Sequence, residues 1–255
     1  MRTLSLTISQ VGYTNKAFWR NPAQAFFIFA FPLMFLVIFT ALLGNNTVHI
    51  GAHIVKQSTY YVSSMVAFGV ITACFNNIAI SIAFLRETGV LKRINGTPMP
   101  SVSYLAARIL HSLFVAIILV AITCGFGKIA YSVTLPGSTT LFDFVVMLIV
   151  GAAAFCALGL ALSAAIPNAD AAAPIVNAVI LPLLFLSGIF IPFGNNTPSW
   201  ILWVARVFPV RHFAVGLQAG FLGTPFDWVD VAVVAAWGAL GLLLAVRHFS
   251  WEPRT

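Results

Sequence analysis

Charge is what this chain has least of. Only 7% of its 255 residues are Asp, Glu, Lys or Arg, where a soluble domain carries roughly 25%. Hydrophobic residues make up 60%, and the mean hydropathy is +1.00. Such a chain cannot cover its own surface for water, which implies an integral membrane protein. Lysine is scarcer still, and no Gly-x-x-x-x-Gly-Lys-Ser/Thr loop occurs, so a P-loop nucleotide site is excluded. The three cysteines, Cys74, Cys124 and Cys156, lie in apolar runs without C-x-x-C spacing. Neither a disulfide framework nor a metal centre is expected from them. The net charge of +7 is not gathered into a basic face, so nucleic acid is not an expected partner. The first 25 residues hold no apolar core ending in a small-residue cleavage site, so no cleavable signal peptide is expected.

What remains is long apolar runs. A membrane-crossing helix needs about 20 mostly apolar residues. Six segments qualify: roughly 25–44, 60–84, 104–125, 141–165, 171–192 and 228–247. The expected fold is therefore an all-α membrane domain over the whole of 1–255. Pro32, Pro174, Pro182, Gly159 and Gly188 fall inside these runs, where neighbouring helices re-satisfy the backbone. Six spans place both termini on one side. Arg2, Lys16, Arg20, Arg86, Lys92, Arg93, Arg108, Arg247 and Arg254 lie on that side, against Lys56, Lys128, Arg206 and Arg211 on the other. The positive-inside rule makes the richer side cytoplasmic. Before the first run, Leu4, Ile8, Val11, Asn15 and Phe18 follow helical spacing, with Ser5, Ser9, Gly12, Lys16 and Arg20 on another face. Residues 3–20 read as an amphipathic helix along the cytoplasmic interface, with Tyr13 and Trp19 at headgroup level.

The centres of the runs carry no Asp, Glu, Lys, Arg or His. Ion-coupled transporters keep such groups at depth, and an intramembrane hydrolase needs a catalytic set there. Both classes are disfavoured. Asn76, Asn77, Asn177, Ser187, Thr72, Ser81 and Ser163 are polar within the runs. They either line a path or hydrogen-bond between helices, a contact worth about 0.6–2 kcal/mol. The sequences Asn45-Asn46-Thr47 and Asn195-Asn196-Thr197 match a glycosylation acceptor pattern but read here as turns.

One segment concentrates the missing charge. Residues 86–100 read RETGVLKRINGTPMP, with Arg86, Glu87, Lys92 and Arg93 inside eight positions and apolar runs on both sides. Gly89 and Gly96 permit tight turns, and Pro98 and Pro100 are placed to end a short helix. If transport is energised, the energy must come from another polypeptide through a cytoplasmic contact, and this loop is suited to charge-assisted docking.

The whole pattern resembles the permease subunit of ABC-2-type exporters, the bacterial drug and cell-envelope exporters. Three features carry the resemblance over nearly the full chain. An interfacial helix precedes six spans with short loops. Residues Arg86, Glu87, Gly89, Leu91, Arg93, Thr97 and Pro98 are similar to the family's R-E-x-G-x-L-x-R…T-P pattern. Leu186-Ser187-Gly188 through Phe190, Pro192, Pro198, Trp200 and Pro209 is similar to its signature after span five.

That resemblance implies a coupling helix within 86–100, with Arg86, Glu87, Gly89, Leu91, Lys92, Arg93 and Pro98 engaging a separate nucleotide-binding ATPase. ATP and Mg would sit on that partner, and this chain would bind no cofactor or metal. It implies a re-entrant outer hairpin at 193–212, involving Gly188, Pro192, Pro198, Pro209 and Arg211. Arg206, Arg211 and His212 would lie near the outer surface, as anchors or as contacts to anionic groups. It further implies a second permease, identical or related, and a path lined by spans one, two and five in a bacterial inner membrane. The apolar walls suit an amphipathic, drug-like or lipid-linked cargo. A six-span channel or facilitator without an ATPase, or a membrane assembly protein, is the alternative.

Overall fold

The computed structural model describes residues 2–44, 46–50, 53–97, 99–193, 197–249 and 251. Pro98, Asn45, Asn195, Asn196 and Arg254, which the sequence analysis singled out, lie outside the described residues. Among the described residues the chain is helical apart from one small hairpin.

Helix α1 covers Arg2–Trp19. The chain turns at Asn21, whose Oδ1 accepts from the Gln24 N–H at 3.3 Å, and Pro22 opens α2, Pro22–Leu43. Proline suits that first position because its missing donor is unpaired there anyway. A two-stranded antiparallel hairpin follows, β1 (Thr47–Ile50) and β2 (His53–Lys56), with Thr47 opposite Lys56. The apolar runs on either side imply only a short loop here. Thr47, Val48, Ile50, Ile54 and Val55 are β-formers, and four-residue strands fall below what apolar-run counting detects.

The second span is interrupted. α3 (Gln57–Ile71), a π turn (Thr72–Asn76) and α4 (Asn77–Glu87) form one 31-residue apolar stretch. The short α5 (Val90–Asn95) leads to α6 (Ser101–Tyr131) and α7 (Ser138–Ser163). After α8 (Ala169–Phe185), α9 (Ser199–Val207) and α10 (Pro209–Leu222) meet at 87°, and α11 (Trp228–His248) closes the fold.

Among the described residues five helices are long and apolar enough to cross a membrane, and the bent α9–α10 pair qualifies only if its two limbs count as one. The expected fifth span at 171–192 is cut short. Its helix stops at Phe185 after 17 residues, a rise of about 25 Å against a hydrocarbon core of ~30 Å. Leu186–Phe193 are turns, with Gly188 at φ +84°. The expected hairpin at 193–212 also has different bounds: its second limb begins at Pro209 and runs ten residues past Arg211–His212 to Leu222, buried along most of its length.

The second span and α7 are the most buried of the five, α2 and α11 the least. Small residues let backbones meet in this core. A Cβ on Gly159 of α7 would lie 2.6 Å from the Phe75 carbonyl oxygen in the π turn. Gly238 and Gly241 of α11 sit as closely on Ala154 and Leu158 of α7. Cys74 and Cys156 are buried in this core.

Helix α1 packs on α6. Thr7, Thr14 and Phe18 are buried, while Leu4, Ile8 and Tyr13 are more than 60% exposed. In a membrane protein the apolar side need not point inward: lipid takes Leu4 and Ile8, and slim threonines allow close approach to the bundle.

Candidate functional site

The charged loop and the polar residues of the second span occupy one end and the middle of the bundle, and they are physically connected. At the loop, Arg86 is not a surface residue. It is 2% exposed, its Nη1 donates to the Ser163 carbonyl at 2.9 Å, and its Nη2 donates to the Ile166 carbonyl. Glu87, one residue on, is exposed and accepts from the Ala169 N–H. Ser163 ends α7 and Ala169 begins α8. The guanidinium therefore sits on the carbonyl end of one helix and the carboxylate on the amide end of the next. Each charge has the sign its helix terminus favours. Asn168 completes the second cap, its Oδ1 accepting from Ala171 N–H at 2.8 Å.

Arg86 was expected to dock a partner, but it is buried and holds the carbonyls of Ser163 and Ile166 instead. Leu91 is also fully buried, so it too is an internal anchor. Gly89, at φ +71°, makes the left-handed turn from α4 into α5 that other residues resist. Lys92 and Arg93 are exposed on α5. The helix ends at Asn95 with Gly96 as its cap, ahead of the prolines expected to end it. Thr97 closes the turn by donating to the Ile94 carbonyl at 2.7 Å.

Against the same end of the bundle lies a groove of about 560 Å³ between α2 and the second span, reaching the start of α8 at Ala169. Asn21, Gln24, Thr72, Asn76, Asn77 and Ser81 supply its polar wall. Gln24 Nε2 donates to Asn77 Oδ1 at 3.0 Å, tying α2 to α4. Phe27, Ile28, Ile80 and Phe84 supply its apolar wall. The π turn, which begins at Thr72 and ends at Asn76, lies midway along the 31-residue span. A π insertion of this kind rotates side chains out of helical register and is common at functional sites. A second cavity of about 310 Å³ is lined by Phe75, Leu158, Val179, Trp237 and other apolar groups, and offers no comparable polar wall.

Of the four expected path residues, the structure brings Asn76 and Asn77 together and leaves two apart. Ser187 is buried near the other end, donating to the Leu184 carbonyl at 2.7 Å. Asn177 is exposed on α8 and does not line the groove. Asn21 and Gln24 also line the groove and are not among the expected path residues. The signal was present, since Gln24 is an amide a turn inside an otherwise apolar helix.

At the far end, the turns after α8 are held to α3 by Tyr60, whose hydroxyl donates to the Gly188 carbonyl. Arg211 stacks on the Phe193 ring, 4.4 Å from its centroid. His212 bridges Asp230 of α11, at 2.5 Å, and the Arg206 carbonyl, at 2.8 Å. Arg211 and His212 thus anchor the bent pair. Pro209 opens α10, and Pro192 and Pro198 lie in the connection before α9. Among the described residues no three His, Cys, Asp or Glu side chains converge as a metal site would require.

Comparison with known proteins agrees with this layout. The family model for ABC-2 type transporters matches residues 9–222, from α1 through α10, and so includes the loop and the groove. YvfS of Bacillus subtilis (strain 168), named a transport permease, is 24% identical over 230 residues, covering 90% of this chain and 91% of its own. The inner membrane transport permease YadH of Escherichia coli (strain K12) is 24% identical over 221 residues, 84% of this chain and 80% of its own. YbhR of the same organism, named a multidrug ABC transporter permease, is 27% identical over 168 residues, 66% of this chain and 43% of its own. These relatives are named as membrane permeases rather than as ATPases or other enzymes. With a match over most of its length, the chain belongs to the ABC-2 type transporter family and is a membrane transport permease, not a catalytic ATPase.

Proposed function

We propose that this chain is the membrane-spanning half of an ATP-driven exporter, powered by a separate nucleotide-binding subunit that docks on α5 and carries the ATP and Mg. The observation that carries this reading is the division of labour in the 86–97 loop. Lys92 and Arg93 face outward, while Leu91, Arg86 and Glu87 are fastened to the bundle. A partner pressing on α5 would therefore push on α4, on the end of α7 and on the start of α8 together. A facilitator without an ATPase would have no use for that linkage. Closing of the ATPase pair would move these helices as rigid bodies and reopen the path on the other face.

Orientation follows from the cations: both termini and the loop are cytoplasmic, and the membrane is a bacterial inner membrane. α1 lies along the cytoplasmic interface, and the bent pair α9–α10 dips in from outside. The groove beside the π turn forms the inner part of the path, and the cargo is an amphipathic, drug-like or lipid-linked molecule. A second permease, identical or related, covers the α8 side. Exposed Asn177 supports this, because an amide facing lipid would leave its polar atoms unpaired.

The test is co-purification with the ATPase, followed by transport in proteoliposomes. Lys92→Glu with Arg93→Glu should release the ATPase and leave a folded permease, since both side chains are exposed. Full retention of the ATPase together with unchanged ATP-dependent export would sink the reading.

A further inference from the structure

The groove between α2 and the second span has a chemistry that narrows its ligand. Its polar lining is four amides, Asn21, Gln24, Asn76 and Asn77, and two hydroxyls, Thr72 and Ser81. None of the described residues lining it is Asp, Glu, Lys, Arg or His. An ion moved into such a wall from water would find no counter-charge, and the desolvation cost would stand uncompensated.

The hydrogen-bonding inventory goes further. Thr72 Oγ1 donates to the Phe68 carbonyl at 2.9 Å, and Ser81 Oγ donates to the Ile78 carbonyl at 3.3 Å. With their protons committed to their own helices, both hydroxyls have only lone pairs left to offer. Asn76 Oδ1 is buried without a partner among the described residues and is not presented to the groove, so the accessible acceptors are those of Thr72 and Ser81 beside the other amides. On the donor side, Gln24 Nε2 is directed to Asn77 Oδ1, and Asn21 Nδ2 is directed to Gln24 Oε1 at 3.4 Å. The wall is therefore rich in acceptors and has amide donors beside them. Phosphate, sulfate and carboxylate groups only accept, and quaternary ammonium neither donates nor accepts. Hydroxyl groups do both. The apolar wall includes Phe27 and Phe84, 62% and 56% exposed, which offer an alkyl chain an open apolar surface.

Resting on the reading of this groove as part of the transport path, we propose that it binds the uncharged, hydroxyl-rich head group of an amphiphile. The tail lies between Phe27 and Phe84. The polar wall reaches Thr72 at the middle of the span, so the head group travels inside the protein while the tail stays in lipid.

The experiment uses the complete permease–ATPase complex in nanodiscs and three probes. All share one fluorescent acyl chain and differ only in a glucosyl, trimethylammonium or sulfate head group. The glucosyl probe is expected to bind at least about tenfold more tightly than either charged probe, the worth of roughly one to two net hydrogen bonds. Asn77→Leu and Thr72→Val should each weaken glucosyl binding about fivefold, with little effect on the charged probes. The near-isosteric Thr72→Val keeps the test alive if Asn77→Leu fails to fold. Asn77→Asp should shift preference toward the trimethylammonium probe. Equal binding of all three heads would overturn the proposal, as would glucosyl binding indifferent to Asn77 and Thr72. Flipping of the same probes in proteoliposomes separates the two claims. Selective glucosyl binding without ATP-dependent flipping supports the head-group assignment and sinks the transport reading. ATP-driven, Asn77-dependent flipping of a charged probe in preference to the glucosyl one overturns the head-group assignment alone.

Discussion

Arg86→Ala isolates the internal clamp from the proposed docking surface beside it. The wild-type guanidinium is 2% exposed and spans the carbonyls of Ser163 and Ile166. Hydrogen bonds to a charged group are worth about 1.5–3 kcal/mol each. Truncation removes two of them and strands two neutral carbonyls, a loss of about 3–5 kcal/mol from the hydrogen bonds alone. Arg86→Lys keeps the charge but swaps a planar fork for a point donor, and should cost about half as much. Glu87→Gln is exposed and screened, so less than about 1 kcal/mol is expected there. The assay is thermal unfolding of the purified permease followed by tryptophan fluorescence. At roughly 2–4 °C per kcal/mol for a chain of this size, Arg86→Ala should melt about 10 °C lower, with Arg86→Lys between it and wild type. A second readout is transport per ATP hydrolysed, which should fall in Arg86→Ala even where the ATPase still binds through Lys92 and Arg93. An Arg86→Ala protein that melts within about 1–2 °C of wild type and exports with unchanged coupling would refute the clamp.

Two glycines give further tests. Gly159→Ala would put a methyl 2.6 Å from the Phe75 carbonyl oxygen, a backbone atom that cannot swing aside. It should destabilise the protein by about 1–3 kcal/mol and reduce export, both measurable on the purified chain and in proteoliposomes. Gly89→Val meets no neighbouring atom but must hold φ near +71°. A local cost on the order of 1–2 kcal/mol should loosen α5 and weaken ATPase co-purification, with little change in global melting.

Sequence reading succeeded where the bilayer itself sets the rule. Five of the six apolar runs coincide with helices, because within a single segment only a helix pairs all of its own backbone groups in lipid. The exception, 171–192, failed because apolar composition continues through Leu186–Phe193 while the helix does not. Composition counts greasy residues and is blind to a positive-φ glycine at 188. Which side of α1 meets the bundle is not legible in the sequence either, since contact there rewards small residues such as Thr7 and Thr14, and a hydrophobicity pattern cannot distinguish lipid from core. In the candidate site, Asn76 and Asn77 stood out as amides at depth, yet their partner Gln24 is 53 residues away in the chain and only folding brings it to Asn77.

By itself, then, the sequence determined that this is a multi-span helical membrane protein without a P-loop site, with its charge gathered in one loop and its pattern resembling ABC-2-type permeases. Those properties are local, set by composition and by short spacings. Tertiary structure decided what each charge in that loop does. Arg86 and Glu87 look alike on paper with Lys92 and Arg93 as surface charges. The end of α7 and the start of α8 engage the first pair, because helix termini 77 to 82 residues away present the carbonyls and the amide that those two side chains satisfy.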